Sequence, residues 1–193
     1  MILQRLSGDL QIFHAVDTSD VNEADPDFTQ LPAKYMQSLT SGSLPPSRLT
    51  LKVGAPVMLL RNLYPKQGLC NGTRMIVTRL RLHCIEVQIL GGDFHGQRKL
   101  IPRIILSTTE GELPFVLTCK QFPIRLCFAM TVNTSQGQTL DIVGLDLWTA
   151  AFTHGQLYVA ISHVTNVANL AVSHASPRPV VMQNIVFPEL LVY

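Results

Sequence analysis

Five short runs of strand-forming residues, separated by turn residues, limit the folds open to this chain. Asn71-Gly72 and Gly91-Gly92 lie between runs, and dipeptides of this kind favour tight turns between antiparallel strands. Five strands within about sixty residues predict a small β-barrel or curled sheet. The runs span residues 49–53, 56–61, 74–82, 84–90 and 98–106.

After residue 114 the pattern changes to short apolar runs that alternate with helical spacing. Thr153 is a suitable N-cap for a helix over 154–163, and alternating strands and helices predict a parallel α/β layer. The fold class is therefore α/β, with a β-rich stretch inserted into it. Buried strands are predicted over 125–132 and 142–147, a last strand over 168–172, and short helices over 2–6 and 31–39.

Charge is segregated along the chain. Charged residues make up only 15% of the 193 residues and the formal net charge is +2, whereas a soluble domain usually carries about a quarter charged residues. Between residues 28 and 85 there is no Asp or Glu, and this stretch, the basic block, holds Lys34, Arg48, Lys52, Arg61, Lys66, Arg74, Arg79 and Arg81. Such a block is a candidate phosphate-binding face, because its cations displace counterions from a nucleic-acid backbone. A solvated surface without a ligand fits the charge equally well.

Several classes of protein are disfavoured. The four cysteines form no C-x-x-C pair and the histidines are not clustered, so we expect no metal site. Arg5 and Asp9 interrupt the first apolar stretch, which argues against a signal peptide. Residues 147–177 lack Asp, Glu, Lys and Arg but contain His, Gln and Asn, so they predict no membrane helix. We expect an intracellular protein without a membrane partner.

Two stretches place small polar residues where a predicted strand or helix ends, which is where open α/β sheets bind ligands. The first, residues 129–138, contains side chains that can donate hydrogen bonds to phosphate oxygens without reading sequence. The second, residues 152–163, contains amide, hydroxyl and imidazole groups. Ordinary caps and turns explain the same residues. The donors of the first stretch are Thr131, Asn133, Ser135 and Gln136.

The same stretches resemble motifs of a known family. Residues 129–140 resemble motif V and residues 155–164 resemble motif VI of the superfamily-one DNA helicases of the petite-integration-frequency (PIF) type, especially those carried by Helitron transposons. Upstream, Leu44-Pro45-Pro46, residues 49–63 and residues 68–74 look like the inserted β-barrel domain of this family. The likeness covers roughly residues 30–173.

The resemblance implies a partial second RecA-like domain of the P-loop NTPase-like class, with a small Src-homology-type β-barrel inserted into it. Residues 1–48 would be the N-terminal part of this RecA-like domain and a linker, and residues 49–114 the inserted barrel. Residues 115–173 would be its C-terminal part with motifs V and VI, and residues 174–193 an irregular tail.

The resemblance also implies a function and its residues. In this family single-stranded DNA crosses the tops of two RecA-like domains and ATP lies between them, so the whole enzyme would translocate 5'–3' and unwind duplexes in repair, recombination, telomere maintenance or transposon mobilisation. Its location would be the nucleus, with the mitochondrion as the alternative. The implied DNA-binding residues are Thr131, Asn133, Thr134, Ser135, Gln136, Lys52, Arg61 and Arg74. The implied nucleotide-side residues are Gly137, Gln138, Gln156 and Tyr158.

Two positions depart from the family pattern. Thr134 stands where the family usually has Lys, and His163 stands at the catalytic motif VI arginine. A cationic fork on the transferring phosphoryl group is worth about 10³ to 10⁵ in rate. Imidazole is shorter and mostly neutral near pH 7, so we expect His163 to replace the arginine poorly.

The chain lacks the sequences that bind ATP phosphates and magnesium in such motors. There is no G-x-x-x-x-G-K-[ST] and no adjacent acidic pair, although the complete family enzyme uses ATP and Mg²⁺. We expect no tight binding of either, and no ATP hydrolysis or unwinding by this chain alone. Its partners would be single-stranded DNA and a separate N-terminal RecA-like domain with Walker motifs. The alternative is a non-catalytic nucleic-acid-binding module left from a degenerate helicase.

Aromatic residues near the basic block are candidates for stacking on bases, although packing explains them equally. They are Tyr35, Tyr64 and Phe94. Trp148, the single tryptophan, follows a predicted strand, and we expect it in the core or at a domain contact.

Overall fold

The computed structural model describes residues 2–20, 44–108, 116–174 and 184–190. The chain divides into two compact units, Met1–Phe128 and Ala129–Tyr193, here called the β unit and the α/β unit. The helix predicted over 31–39 lies outside the described residues. In the described ranges, no helix is long and apolar enough to cross a membrane.

The described elements are mostly short strands. The strands are β1 (Gln11–His14), β2 (Val16–Asp20), β3 (Arg48–Leu51), β4 (Pro56–Leu59), β5 (Arg74–Leu80), β6 (Cys84–Ile89), β7 (Arg98–Pro102), β8 (Ile104–Ser107), β9 (Val116–Gln121), β10 (Ile124–Leu126), β11 (Val143–Leu147) and β12 (Leu170–His174). The α-helices are α1 (Val132–Ser135) and α2 (Gln156–Ser162). Single 3₁₀ turns span Ile2–Arg5, Pro65–Gln67, Gly92–Phe94, Val167–Asn169 and Pro188–Leu190.

A five-stranded antiparallel sheet forms the centre of the β unit. Its strand order is β10-β4-β5-β6-β7. The register of β5 against β6 shifts between Val77 and Arg79, and such a bulge increases the local twist. The expected turns are present, because Gly72 and Gly92 have φ values of 87° and 68°, a backbone region that favours glycine.

Two predicted strands are placed differently from the sequence-based expectation. Residues 49–53 contribute β3, which pairs with β1 in a separate two-stranded sheet. Residues 98–106 divide into β7 and β8, since Pro102 lacks the N–H needed to continue the ladder and β8 joins β2 and β9 in a three-stranded sheet. The fifth place in the central sheet is taken by β10, which pairs with β4.

The core of the β unit joins strands that are far apart in sequence. The rings of Phe13 and Phe122 meet edge to face, with centroids 5.2 Å apart. Gln121 is fully buried, and its amide donates to the Phe13 carbonyl (3.0 Å) and accepts from the Phe122 N–H (3.0 Å). The buried cluster consists of Phe13, Leu49, Leu51, Val57, Leu59, Leu69, Met75, Val77, Ile85, Val87, Ile89, Ile101, Phe122 and Ile124.

The α/β unit contains a two-stranded parallel sheet of β11 and β12, with α2 between them in sequence. Its described core is Leu145, Leu147, Leu157 and Ala160. The strand predicted over 125–132 was wrong in extent, because only Ile124–Leu126 is strand and Val132 begins α1. The predicted helix start was also early: Gly155, with φ 66°, is the N-cap of α2 instead of Thr153.

Candidate nucleic-acid interface

The motif V stretch folds as a single capped turn of helix, α1. Thr131 is its N-cap, and the Thr131 Oγ1 accepts a hydrogen bond from the Thr134 N–H (3.3 Å) and lies 2.8 Å from the Thr134 Oγ1. Such a cap satisfies a backbone donor that the helix leaves without a partner. The Ser135 hydroxyl donates to the Val132 carbonyl (2.8 Å). The hydroxyls of Thr134 and Ser135 are therefore engaged within the turn.

Other polar groups of this turn face solvent. Asn133 and Gln136 are exposed, as is Thr131 at the cap. Gly137 follows with φ 79°, and no heavy atom of another residue lies within 4 Å of the place where a Cβ would stand. Gln138 is half-buried, and its side-chain amide lies 3.5 Å from the Thr134 carbonyl. The turn thus presents the side chains of Asn133 and Gln136 as uncharged donors that a phosphate backbone can reach, while the Thr131 hydroxyl is engaged with Thr134.

His163, at the motif VI arginine position, points into the α/β unit. Its side chain is 4% exposed, and its Nε2 lies 2.7 Å from the Ser135 carbonyl oxygen. Its Nδ1 makes a short contact with the carbonyl oxygen of Val159 in α2. Because a neutral imidazole has one N–H, it can donate to only one of these carbonyls at a time. In this arrangement the ring joins α1 to α2, and neither nitrogen faces solvent.

The other implied nucleotide-side residues do not supply a cation either. The Gln156 side-chain oxygen accepts from the Phe152 N–H (3.0 Å), and Tyr158 is 72% exposed. The described part of the α/β unit contains no Lys or Arg. Triphosphate binding in a motor relies on positive charge from side chains and metal, and none of Gly137, Gln138, Gln156 and Tyr158 carries such a charge. Among the described residues, no group of His, Cys, Asp or Glu could hold a metal ion.

Basic side chains of the β unit form a row across its central sheet. Arg125 on β10 pairs with Met58 on β4, and Met58 pairs with Arg74 on β5. Directly paired residues project from the same face of an antiparallel sheet. Arg125 is exposed, Arg74 is half-buried, and Met58 between them is buried. Sequence reasoning missed Arg125, although an Arg inside a predicted strand at residues 125–132 was the available signal.

The remaining cations of the β unit differ in how they are compensated. The Nε atoms of Arg61 and Arg74 are buried without a hydrogen-bond partner in the described residues. By contrast, the Lys52 ammonium donates to the Leu6 carbonyl (2.9 Å). Across the described ranges one ion pair is formed, between Arg98 and Glu86 (3.6 Å). The cations that have no acidic partner in those ranges therefore include Arg61, Arg74 and Arg125.

The candidate stacking residues are also placed differently from one another. Tyr64 is exposed, whereas Phe94 packs partly against the core with the Lys99 ammonium 5.9 Å from its ring centroid. Tyr35 lies outside the described residues. Trp148 was expected in the core or at a domain contact. The core alternative is wrong, because Trp148 is 67% exposed and is absent from the described core of its unit, and the domain contact stays a prediction.

Comparisons with known proteins define the class. Residues 34–80 match the family model described as "DNA helicase Pif1, 2B domain". The human protein named ATP-dependent DNA helicase PIF1 is 31% identical over 189 residues, which cover 92% of this chain and 25% of that protein. A relative from Bdellovibrio bacteriovorus, named ATP-dependent DNA helicase Pif1, is 29% identical over 149 residues, covering 77% of this chain and 33% of that protein. The chain thus spans a quarter to a third of these relatives.

Solved structures agree with the sequence comparisons. The Pif1 helicase from Candida albicans superposes with a TM-score of 0.64 at 26% identity, covering 89% of this chain and 41% of that one. Bacteroides Pif1 bound to single-stranded DNA gives a TM-score of 0.61 at 26% identity, covering 88% and 36%. Bacteroides Pif1 with ADP-AlF3 and single-stranded DNA gives 0.58 at 25% identity, covering 89% and 36%.

In sequence and in fold, the chain is similar to segments of DNA helicases and is consistent with part of a RecA-like domain. More specifically, the chain is related to the C-terminal part of the Pif1-type helicases. The expected resemblance to the PIF-type helicases is therefore confirmed. The narrower likeness to Helitron-carried members stays a prediction.

Proposed function

We propose that this chain is the single-stranded-DNA-binding, C-terminal portion of an ATP-dependent helicase, and that it needs a Walker-motif domain for catalysis. By analogy with the family, the complete enzyme would translocate 5'–3' and use Mg²⁺ with ATP. We also propose that the β unit includes the inserted barrel of the family. The boundaries at residues 48, 114 and 173 stay predictions, as does the nuclear or mitochondrial location.

The observation that carries the proposal is the set of arginines without acidic partners on the described part of the β unit. Arg74 and Arg125 flank Met58 in one row, and Arg61 and Arg74 each have a buried Nε without a partner in the described ranges. Uncompensated guanidinium groups favour a polyanion, because they bind phosphate oxygens in a fixed fork geometry. The Bacteroides relative bound to single-stranded DNA supports the choice of polyanion.

On the α/β unit, the turn at residues 131–136 would supply uncharged contacts to DNA of its own. The exposed polar groups of Asn133 and Gln136 can contact phosphate and sugar without reading bases. Thr131, Thr134 and Ser135 would act less directly, since their hydroxyls are engaged inside the turn. Lys52 would contribute long-range attraction, because its ammonium is held by the Leu6 carbonyl.

Salt-dependent binding of the full chain to a single-stranded oligonucleotide tests the proposal. The slope of log K against log salt is negative, and removing one cation that touches a phosphate should reduce its magnitude by about 0.7. We expect Arg74→Ala and Arg125→Ala each to weaken binding about 5- to 10-fold at low salt and to reduce the magnitude of the slope by this amount.

Arg98→Ala is the matched control, because Arg98 lies on the same sheet but is already paired with Glu86 (3.6 Å). It should change affinity less than Arg74→Ala and Arg125→Ala do. Weak binding at low salt that is indifferent to ionic strength would contradict the proposal.

Catalysis is tested by adding a separate Walker-motif domain in trans and measuring ATP turnover stimulated by single-stranded DNA. The chain alone should give none. Thr134→Lys and His163→Arg together should raise turnover only if the chain works as half of a motor. Turnover by the isolated wild-type chain would contradict the expectation that it is inert alone.

A second function, a non-catalytic nucleic-acid-binding module, is favoured by one observation. His163 is buried against the carbonyls of Ser135 and Val159, so an arginine there would have to leave a closed slot to reach a phosphate. If the double variant binds DNA like the wild type and stays without turnover in trans, the module is the better description.

A further inference from the structure

Trp148 occupies an unusual place for a large apolar side chain. It comes directly after β11, at the carboxyl end of the parallel strands β11 and β12. Ligands of open α/β sheets bind outside the carboxyl ends of the strands. With 67% of its surface exposed, the indole is available to a ligand at this edge.

Hydrogen bonds from both strands hold the residue in place. The indole Nε1 donates to the Ser173 hydroxyl on β12 (2.9 Å), and the Trp148 backbone N–H donates to the Asp146 carboxylate on β11 (3.1 Å). Asp146 and Ser173 are themselves directly paired across the sheet. An aromatic ring fixed in this way loses little conformational entropy when a flat ligand stacks on it.

The surroundings indicate which part of a nucleic acid would bind here. The described part of the α/β unit has no Lys or Arg, and the Asp146 carboxylate accepts from the Trp148 backbone N–H. A phosphate would be repelled at this position, whereas the uncharged face of a base would not. Stacking on an aromatic ring is tolerant of sequence because every base has a π-face.

We propose that the exposed indole of Trp148, held by Ser173 and Asp146 at the carboxyl edge of the β11–β12 sheet, is a stacking platform for a nucleobase of single-stranded DNA. The inference rests on the proposed DNA-binding function and adds a base contact to an interface otherwise made of phosphate contacts. Free adenine nucleotides also carry a base that can stack on the indole, so the experiment distinguishes single-stranded DNA from free nucleotide as the ligand.

The chain offers a direct probe, because Trp148 is its single tryptophan. Titration of the full chain with oligo-dT should quench tryptophan emission in proportion to binding. An abasic oligonucleotide of equal length and charge should bind through its phosphates without comparable quenching. ATP and ADP should leave the emission unchanged at concentrations where oligo-dT saturates it; quenching by nucleotide alone would overturn the assignment to DNA.

Variants measure what the platform contributes. Binding of a labelled oligo-dT, followed by anisotropy, should be about 5- to 100-fold weaker for Trp148→Ala. Trp148→Phe, which keeps an aromatic face, should recover part of this loss. Ser173→Ala, which releases the indole N–H, should weaken binding about 2- to 10-fold.

Ile142→Ala is the matched control, because Ile142 is an exposed apolar residue of the same unit at 78% exposure but has no π-face. It should bind like the wild type. If no protein binds oligo-dT, the proposed function fails. If wild type and Trp148→Ala bind equally well and the emission does not change, DNA binding stands and the platform is overturned, which would leave Trp148 to a protein contact.

Discussion

The β unit and the α/β unit have cores of different quality. In the β unit, most members of the buried cluster are at most 2% exposed. The four members of the α/β core are 4–9% exposed, and Ile142, Trp148, Phe152, Tyr158 and Val167 lie largely in solvent. Parallel sheets are almost always covered on both faces. The parallel sheet of the α/β unit consists of two strands, β11 and β12, and large apolar side chains of that unit remain exposed.

The contrast divides the proposed DNA contacts between a well-packed and a loosely packed unit. The arginines proposed to contact phosphates stand on the well-packed sheet, whereas the motif V turn, His163 and Trp148 stand on the loosely packed unit. Elements with few buried contacts open locally at low cost in free energy. If the complete enzyme changes conformation when it binds nucleotide, we therefore expect the change to involve the less stable α/β unit.

The largest effect is expected from a cavity in the β unit. Phe122→Ala should lower the free energy of unfolding by about 3–5 kcal/mol, because Phe122 is fully buried and meets the Phe13 ring at 5.2 Å. Leu157→Ala in the α/β unit, where Leu157 is 9% exposed, should cost about 2 kcal/mol.

Urea denaturation with segment-resolved hydrogen exchange measures both variants. Exchange should accelerate in the β unit for Phe122→Ala and in the α/β unit for Leu157→Ala. If each variant deprotects both units equally, the chain unfolds as one body and the contrast between the units is wrong.

His163→Ala tests whether the histidine is a structural link. The change removes the imidazole from the Ser135 and Val159 carbonyls and leaves a cavity, so it should cost about 2–3 kcal/mol. Hydrogen exchange should accelerate at residues 131–140 and 156–164. The exposed His83 of the β unit provides the control, His83→Ala; equal effects of the two variants would refute a linking role.

The smallest effect is expected at the cap of α1. Thr131→Ala should cost about 1 kcal/mol by removing the acceptor of the Thr134 N–H, and exchange at Thr134 should accelerate. Thr131→Ser keeps the hydroxyl and should behave like the wild type. A loss of protection in Thr131→Ser as large as that in Thr131→Ala would show that the methyl group, not the hydrogen bond, is important.

Local signals in the sequence predicted much of the β unit. β5 and β6 follow from alternating apolar residues and β4 from a continuous apolar run, and glycines at 72 and 92 mark the turns between strands. β9 was missed because Gln121, a polar residue, occupies a core position. Its partner, the Phe13 carbonyl, is 108 residues away, so no local pattern indicates that a buried amide is satisfied there.

The sequence indicated which types of residue form the candidate site, but it did not indicate how their side chains are oriented. The sequence indicated a polar stretch after a strand predicted to run through Thr131, whereas Thr131 caps a helix that starts at Val132 and hydrogen-bonds with Thr134. The inward orientation of His163 depends on a carbonyl 28 residues earlier in the chain. Trp148 was expected in the core or at a domain contact because it follows a predicted strand, whereas its hydrogen bond to Ser173 holds it at the exposed edge of the sheet.

The position of β10 has a consequence for synthesis on the ribosome. β10 forms one edge of the central sheet and pairs with β4, but among the described strands of the β unit it is the last to be translated. Until Ile124–Leu126 leave the exit tunnel, β4 presents unpaired backbone groups of the kind that recruit other strands. Nascent chains halted shortly before β10 should therefore be more prone to aggregation than chains halted after Phe128.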